Sequence, residues 1–258
     1  MTMPKNLVFI RHGYSEANDI QKQQEKGIET NTPFKPDREW GLTEKGKNQA
    51  ATIGQIFTDG RLNQIDAFYV SPYKRTLQTA SSMAIEKAQW KLSRSIRERS
   101  WGDIDTVPKH LTQSEYPRNH LKKESDPLYW MPPSGESIAG VADTRAANTI
   151  SRLHREHAGE NVVMVTHHDF ILAMRLVLEH MTDGEFTRGV LDDTLHVENG
   201  SAIWYSRVNP DNGQLSSKIE YYKVITPECH NGEWVNVEGP WVKINRGKYT
   251  NEQLLELD

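Results

Sequence analysis

LVFIRHGYSEAN, residues 7–18, is the stretch that decides the fold of this chain. Its first four residues, Leu7 to Ile10, form an uninterrupted and partly β-branched apolar run, which is typical of a strand covered on both faces. Arg11, His12 and Gly13 follow at once. Because an arginine side chain keeps its charge, and a buried guanidinium without an anion is costly, the end of this strand predicts a site for a negatively charged group.

Length, charge and cysteine content limit the kind of protein. With 258 residues, 36% of them hydrophobic, the chain can bury one sizeable core, and we expect a single domain over residues 1–258. A formal net charge of -4 disfavours a nucleic acid partner. The single cysteine, Cys229, fits a reducing compartment, and no segment has the length of a signal peptide core or a membrane-spanning helix. We therefore expect a soluble, cytoplasmic protein without a membrane partner, while the oligomeric state stays open.

Apolar runs alternate with helical patterns along the chain. Further strands are predicted at 66–71 and 161–166, with a weaker one at 91–95. Helices are predicted within 41–57, where Thr43 is the expected N-cap, within 72–88 and within 134–157. This alternation predicts an α/β fold, a three-layer α/β/α sandwich built on a mostly parallel sheet.

The helical spacing also predicts which side chains face the core. In the second helix Pro72 is expected in the first turn. In the third, Ser134 is the expected cap and Glu136 lies near the positive end. The expected core positions of the three helices are Ala50, Ile53, Ile56, Phe57, Leu77, Ala80, Ala84, Ile85, Ile138, Val141, Ile150 and Leu153.

Two polar stretches interrupt the alternation, and the tail has a pattern of its own. Residues 19–40 and 103–133, the second with five prolines, are predicted to be cap insertions that roof a site. The tail from about residue 201 alternates polar and apolar residues, which predicts extra strands at a sheet edge and a C-terminal β extension over about 207–258. Trp234 and Trp241 are interpreted as packing residues.

Ligands of parallel sheets bind beyond the carboxyl ends of the strands, so the residues there carry the chemistry. The second predicted strand is followed by Ser71, Pro72 and then Arg75, and the strand at 161–166 by His167 and His168. Arginine presents a planar fork that matches phosphate oxygens, and a helix N-terminus beside Arg75 adds amide donors. Together with Arg11 and His12, these residues predict an anion site at one rim of the sheet.

The ordered set of these motifs resembles the histidine phosphatase superfamily, also called phosphoglycerate mutase-like. RHG follows the first strand, and SPYKRTLQTA and VTHHDF lie downstream. The resemblance covers about 200 residues in the expected order. Further matching segments are Asn18, GLTEKGKNQA, ERSWG at 98–102, PSGES at 133–137 and NGSA at 199–202. RHG alone is a weak signal, whereas the ordered set is specific.

The resemblance implies an α/β fold with a mixed sheet and a two-step phosphoryl transfer through a phosphohistidine. His12 is implied as the nucleophile, with Arg11, Arg75 and His167 neutralising the phosphoryl oxygens. Glu98 is implied as the acid that protonates the leaving group and then as the base that activates water. Asn18 is implied as an amide contact to a phosphate oxygen. The mechanism requires no metal and no other cofactor.

Two positions depart from the family pattern, and both are expected at the rim of the pocket. Tyr14 stands where glutamate or glutamine is common, and His168 stands where glycine is common. Either side chain is a candidate substrate contact, although the backbone amide of residue 168 alone could fill that role.

Three alternatives stay open at this stage. A metal hydrolase could use His154 and His157 with His167, His168 and Asp169. A catalytically silent phospho-ligand-binding protein could keep the fold without turnover. A phosphoglycerate-type mutase would need cations in the roof, where Lys109, Arg118, Lys122 and Lys123 lie, but the paired arginines of glycolytic mutases are missing. The sequence therefore favours a phosphatase of a small phosphorylated metabolite, such as a sugar phosphate, a bisphosphate or a nucleotide.

Overall fold

The structure is a computed structural model of the chain and describes residues 2–28, 35–62, 64–107 and 109–255. Within these ranges eight strands form one sheet. Their bounds are β1 Asn6–Arg11, β2 Ala67–Val70, β3 Trp90–Leu92, β4 Asn161–Thr166, β5 Ala202–Ser206, β6 Tyr221–His230, β7 Glu233–Glu238 and β8 Val242–Lys243. The α-helices of the same ranges are α1 Glu16–Glu25, α2 Glu44–Gly54, α3 Lys74–Ser82, α4 Lys109–Glu115, α5 Pro117–Ser125, α6 Ile138–Val141, α7 Ala147–Glu156, α8 His168–Leu178, α9 Asp183–Leu191 and α10 Asn251–Leu254.

The sheet is mixed, with the strand order β3-β2-β4-β1-β5-β6-β7 and with β8 paired to β6. The four strands from β3 to β1 run parallel, whereas β5 to β8 join by antiparallel pairing. The parallel strands β1, β2 and β4 therefore deliver the residues after their carboxyl ends to one rim. The predicted α/β class with extra C-terminal strands is confirmed.

Helices cover both faces of the sheet, which makes three layers. Leu7 and Phe9 of β1 pack into one core together with residues of α6, α7 and α8. Val8 and Ile10 point to the opposite core, where α2 and α3 pack. All four side chains have no exposed surface, as expected for a strand covered on both faces. No α-helix of the described residues is both long and apolar enough to cross a membrane.

Two of the predicted helix starts are wrong by a few residues. The second helix starts at Lys74 with Tyr73 as the N-cap, so Pro72 precedes it. Leu77 is 40% exposed, and Ala84 lies after the helix with a φ of 50, so neither faces the core as predicted. The third helix is capped by Ser137, whose side chain accepts from the backbone N–H of Gly140, and Ser134 lies in a turn before it.

The weak strand and the two insertions also differ in detail. The strand predicted at 91–95 is β3, which ends at Leu92. The stretch 19–40 begins inside α1, residues 29–34 are outside the described ranges, and a 3₁₀ turn follows at Asp37–Glu39. The stretch 103–133 contains α4 and α5. Helical segments thus account for much of both insertions, and their polar composition reflects weakly buried helices.

The glycine of the RHG motif has a packing reason. A Cβ on Gly13 would lie 2.3 Å from the carbonyl oxygen of Gly46, and a Cβ on Gly46 would lie 2.2 Å from the carbonyl oxygen of Tyr14. The first turn of α2 therefore approaches the loop after β1 more closely than any side chain allows. This close approach fixes the backbone that follows His12.

Candidate active site

His12 lies directly after β1 and is buried, with 4% of its surface exposed. Its Nδ1 is 2.9 Å from the carbonyl oxygen of Gly13. Because a carbonyl oxygen can only accept, Nδ1 carries the proton of the neutral ring, and Nε2 keeps a free electron pair. The backbone of His12 is held as well, since its carbonyl accepts from Gly200 N–H and from the Asn199 side chain.

The imidazole of His12 is kept neutral by its surroundings. Burial lowers the pKa of His12 well below its ordinary value, and the nearby cations Arg75 and Arg11 lower it further. A neutral imidazole with a free Nε2 is the form that can act as a nucleophile. The two arginines, whose charges would attract an anion, thus also help to keep the ring in its neutral form.

His167 lies beside His12, with the ring centroids 5.3 Å apart. Its Nε2 is 2.7 Å from the Ser71 hydroxyl, and the Tyr73 ring packs edge-on against it with centroids 4.8 Å apart. Burial and the Arg75 charge keep the pKa of His167 well below its ordinary value. When Ser71 donates to Nε2, the proton of the neutral ring lies on Nδ1, and this buried Nδ1 has no partner among the described residues.

Arg11 and Arg75 are both held by carbonyl oxygens. Arg11 donates through Nη1 to the carbonyl of Val197, and its buried Nε has no partner among the described residues. Arg75 is 4% exposed and donates to both carboxylate oxygens and to the carbonyl of Asp37. The unpartnered Nε of Arg11 and Nδ1 of His167 lie in the same cluster as Arg75, and with a proton on that Nδ1 the three side chains offer donors that a phosphoryl group can satisfy.

Glu98 is the carboxyl group of this cluster. It is 7% exposed, and its Oε1 accepts from the backbone N–H of Arg99. Burial, together with the negative charge of Asp169, raises the pKa of Glu98 to about 8, although the Arg75 charge opposes the shift. The side chain is therefore protonated at neutral pH and can donate a proton.

Asp169 stays ionised beside Glu98 because Arg99 binds it. The Arg99 Nε donates to Asp169 at 2.8 Å in a pair that is nearly buried on both sides. Burial alone would raise the pKa of Asp169, but the Arg99 guanidinium holds it below its ordinary value. The two neighbouring carboxyl groups thus take different protonation states, with Glu98 the neutral one.

The backbone around Glu98 is braced by Arg145. This arginine lies in a π-helical turn, Ala142–Ala146, between α6 and α7 and donates to the carbonyls of residues 95, 97 and 98. Glu136 accepts from Arg145, from Arg97 and from the backbone N–H of Ser100. Glu136 therefore supports the segment that carries Glu98. The π-helical turn carries Arg145, which makes the contact with Glu136.

The remaining predicted site residues lie at the edge of the cluster. The Oδ1 of Asn18 accepts from Ser15 and Asn199, which leaves its Nδ2 as a donor beside the loop of His12. The hydroxyl of Tyr14 donates to the carbonyl of Asn18. His168 packs against His196 with ring centroids 5.0 Å apart, and burial next to Arg11 lowers the pKa of His168 to about 3.

The structure therefore brings Arg11, His12, Arg75, Glu98 and His167 together. It also contains contacts that the sequence did not predict: Asp37 on Arg75, Asp169 on Arg99 and the Arg145 brace. A partial signal exists for one of these contacts, since its two partners, Arg99 and Asp169, each adjoin a predicted site residue. Asp37 carries no such signal, because it lies in a polar segment without periodicity.

The residues considered as metal ligands do not gather. His157 precedes β4 and contacts Tyr69 and Glu160, whereas His167 follows the other end of that strand. Among residues 2–28, 35–62, 64–107 and 109–255, no three His, Cys, Asp or Glu side chains form a group that could hold a metal.

The fold and the cluster define an α/β protein in which two histidines, two arginines and a glutamate are buried together at the carboxyl ends of parallel strands. The profile of the histidine phosphatase superfamily, branch 1, matches residues 7–201. The chain belongs to this superfamily, as the order of its motifs predicted.

Curated relatives agree with this assignment. The chain is 27% identical over 180 residues to human 6-phosphofructo-2-kinase/fructose-2,6-bisphosphatase 4, a match that covers 70% of this chain and 33% of the relative. It thus spans about a third of the length of that relative. It is 28% identical over 227 residues to a 2,3-bisphosphoglycerate-dependent phosphoglycerate mutase of Bartonella bacilliformis, covering 84% of this chain and 98% of the mutase.

A solved structure with the same fold is a mycobacterial glucosyl-3-phosphoglycerate phosphatase in complex with VO3. The TM-score is 0.62 at 20% identity, and the match covers 78% of this chain and 92% of the phosphatase. At this identity the likeness concerns the fold alone.

Proposed function

We propose that the protein hydrolyses small phosphomonoesters through a phosphohistidine on His12. The observation that carries the proposal is the pairing of a neutral, buried imidazole that has a free Nε2 with a neutral carboxyl group on Glu98. A nucleophile needs the first group, and departure of an alkoxide needs the second. Membership of the superfamily supports the same chemistry.

In the first step, the Nε2 of His12 attacks the phosphorus, and the ester P–O bond breaks. The proton of Glu98 passes to the leaving oxygen, so an alcohol leaves and Glu98 becomes a carboxylate. Arg11, Arg75 and His167 donate to the three phosphoryl oxygens while charge redistributes between them. Asn18 adds an amide donor at the same group.

In the second step, Glu98 takes a proton from water, and the resulting hydroxide attacks the phosphorus as the P–N bond breaks. Inorganic phosphate leaves, and His12 returns to its neutral form. The burial that raises the pKa of Glu98 also makes it a better base than an ordinary carboxylate once it is ionised.

The substrate that fits this site is a small metabolite with a second anionic group. Tyr14, which precedes α1, and Lys22 and Lys26, at the end of the helix, line one cavity. This cavity has a volume of about 310 Å³, and its charged lining consists of Lys22, Lys26, Lys45 and one carboxylate, Asp19. A second phosphate or a carboxylate would bind these lysines while the scissile phosphate lies at His12. Tyr14 and His168 would then flank the substrate.

A phosphoglycerate-type mutase is the second candidate, favoured by the match to the bacterial mutase. A mutase must hold a bisphosphate and exclude water, which requires cations in the roof. Of the four basic residues considered there, Arg118 and Lys122 are exposed on α5, and Lys123 lies over the rings of Trp101 and Trp130. The side chain of Lys109 is outside the described residues. Hydrolysis therefore remains the better supported reaction.

We further propose that residues 1–258 act as one domain, that the cap insertions 19–40 and 103–133 roof the site, and that the protein works in the cytoplasm. The lone cysteine and the net charge of -4 support a reducing compartment and a small-molecule partner rather than nucleic acid.

The proposal is tested by phosphate release from p-nitrophenyl phosphate and from a panel of sugar phosphates, bisphosphates and nucleotides, with a chelator present. His12→Ala should reduce turnover by about 10⁴-fold or more, because no other group supplies the nucleophile. His154→Ala, on the far end of α7, is the control and should leave activity unchanged. Release that persists in His12→Ala, or that the chelator abolishes, would contradict the phosphohistidine route. A bisphosphate-primed mutase assay separates the second candidate.

A further inference from the structure

Arg75 is held on one edge of its guanidinium by a single residue of the 35–40 segment. Its Nη1 donates to the carbonyl oxygen of Asp37 at 2.6 Å and to Oδ1 at 2.9 Å, while its Nη2 donates to Oδ2 at 3.0 Å. A guanidinium has five N–H donors, so these three bonds use both hydrogens of Nη1 and one of Nη2. The edge formed by Nε and the second hydrogen of Nη2 takes part in none of these three hydrogen bonds.

Arg11 shows the same division of its donors. Its Nη1 is taken by the Val197 carbonyl, and its Nε is a buried donor without a partner among the described residues. Both arginines of the pocket are thus tied through Nη1 and offer the edge that contains Nε. A phosphoryl group between the two arginines would meet two guanidinium edges that are already oriented, and such edges bind phosphate in a bidentate way.

Asp37 is well placed to fix Arg75. The carboxylate is 25% exposed and the arginine side chain 5% exposed, so solvent competes little for the pair. Asp37 is also the first residue of the 3₁₀ turn Asp37–Glu39, and the segment is anchored where Lys35 pairs with Glu16 of α1. The Arg75 guanidinium further packs on the Tyr73 ring at 5.0 Å. The orientation of Arg75 is therefore set before any ligand binds.

We propose that Asp37 is a positioning residue of the phosphate pocket, which holds the Nη1–Nη2 edge of Arg75 so that the Nε–Nη2 edge faces the phosphoryl group. This inference rests on the proposed function, since it takes Arg75 as a phosphate ligand. It assigns part of the 19–40 insertion to the site itself. The inference also explains why the carboxylate of Asp37 lies beside an anion pocket, since its negative charge alone would weaken anion binding.

The direction of the change in phosphate affinity shows whether Asp37 acts by positioning Arg75 or only through its charge. Removing a negative charge near the pocket should tighten phosphate binding by Coulomb attraction alone, whereas loss of a preset fork should weaken it. We expect Asp37→Asn and Asp37→Ala to weaken binding of inorganic phosphate, measured by titration calorimetry, by about tenfold. kcat/KM for p-nitrophenyl phosphate should fall by at least as much, because Arg75 serves the transition state as well.

Glu39→Gln is the matched control, since it removes the same charge from the same turn. Glu39 pairs with Arg38 at the surface and not with Arg75. This variant should leave phosphate affinity unchanged or slightly tighter. Thermal melts of all variants verify folding, and the more conservative Asp37→Asn is the primary test if Asp37→Ala does not fold.

A double-mutant cycle shows whether Asp37 acts through Arg75. In an Arg75→Lys background, where no planar fork remains, Asp37→Asn should change kcat/KM by less than about twofold. A full effect in that background, or tighter phosphate binding in Asp37→Asn alone, would overturn the inference and make Asp37 a competitor of the substrate. If the wild-type protein neither binds phosphate nor hydrolyses p-nitrophenyl phosphate, the proposed function itself fails.

Discussion

Glu98 is the residue whose protonation state sets the pH range of the proposed reaction. Its surroundings explain why this carboxyl group remains protonated: it is buried, it lies near the ionised Asp169, and among the described residues it accepts a hydrogen bond from one backbone N–H. His12 is the opposite case, because burial and two arginines keep it unprotonated well below neutral pH. The proposed acid, Glu98, and the proposed nucleophile, His12, thus have pKa values shifted in opposite directions.

This separation gives a pH prediction. The active form has Glu98 protonated and His12 neutral, so kcat/KM for an alkyl phosphate should be high near neutral pH and fall as the pH rises through about 8, where Glu98 loses its proton. Because the pKa of His12 is lowered well below its ordinary value, protonation of His12 causes no loss of activity between neutral pH and the pH at which Glu98 ionises. A pH profile of the wild-type protein measures this limb directly.

Glu98→Gln should remove that limb and the acid function together. We expect kcat/KM for an alkyl phosphate to fall by about 10²- to 10⁴-fold, and by much less for p-nitrophenyl phosphate, whose leaving group needs no proton. Gln keeps the size of the side chain, so folding should be preserved. An equal loss on both substrates, or a basic limb that survives in the variant, would show that Glu98 is not the acid.

At the scale of elements, the helix that follows PSGES depends on its cap. Ser137 accepts from the Gly140 N–H at 3.0 Å, whereas the Ser134 hydroxyl reaches only the exposed Asp103. Ser137→Ala should therefore lower the free energy of unfolding by about 1 kcal/mol. Ser134→Ala, the paired control three residues away, should stay within about 0.5 kcal/mol. Denaturant melts of the two variants decide between the two serines, and equal losses would contradict the assignment of the cap.

A core strand and this helix cap together show what a sequence can and cannot predict. The strand predicted at 161–166 is confirmed with the same bounds. A short, uninterrupted apolar run of this kind is typical of a buried strand. The cap was misplaced because PSGES offers two serines, and the choice depends on Glu136, which Arg97, Arg145 and Ser100 hold in a tertiary contact. Periodicity carries no information about such contacts.

The candidate site shows the same difference between residues on regular elements and residues held by tertiary contacts. Arg11, His12 and His167 come directly after core strands, and Arg75 lies in the helix after one, so topology alone predicted that they gather. The contact of Asp37 with Arg75 joins residues 38 positions apart through a polar segment, and the sequence holds no pattern for it. Residues on regular elements could be predicted, whereas partners from insertions could not.

At the scale of the whole molecule, the C-terminal strands are part of the core even though the family match ends at residue 201. Ile219, Tyr221 and Ile244 belong to the core on one face of the sheet, and Ile225 belongs to the core on the other. All four are at most 9% exposed. The first half of β6 also pairs with the whole of β5, and β5 would otherwise be an edge strand of the sheet.

A chain that ends at Arg207 should therefore not fold cooperatively. It loses the four apolar side chains named above, among other buried residues, and each is comparable in cost to a large core truncation of roughly 2–5 kcal/mol, against a total stability of about 5–15 kcal/mol. A chain that ends at Arg246 is the control, because residues 247–255 are all exposed. It should melt within a few degrees of the full chain. Circular dichroism melts test both, and a cooperative transition in the shorter chain would mean that β1 to β5 form a stable unit without the tail.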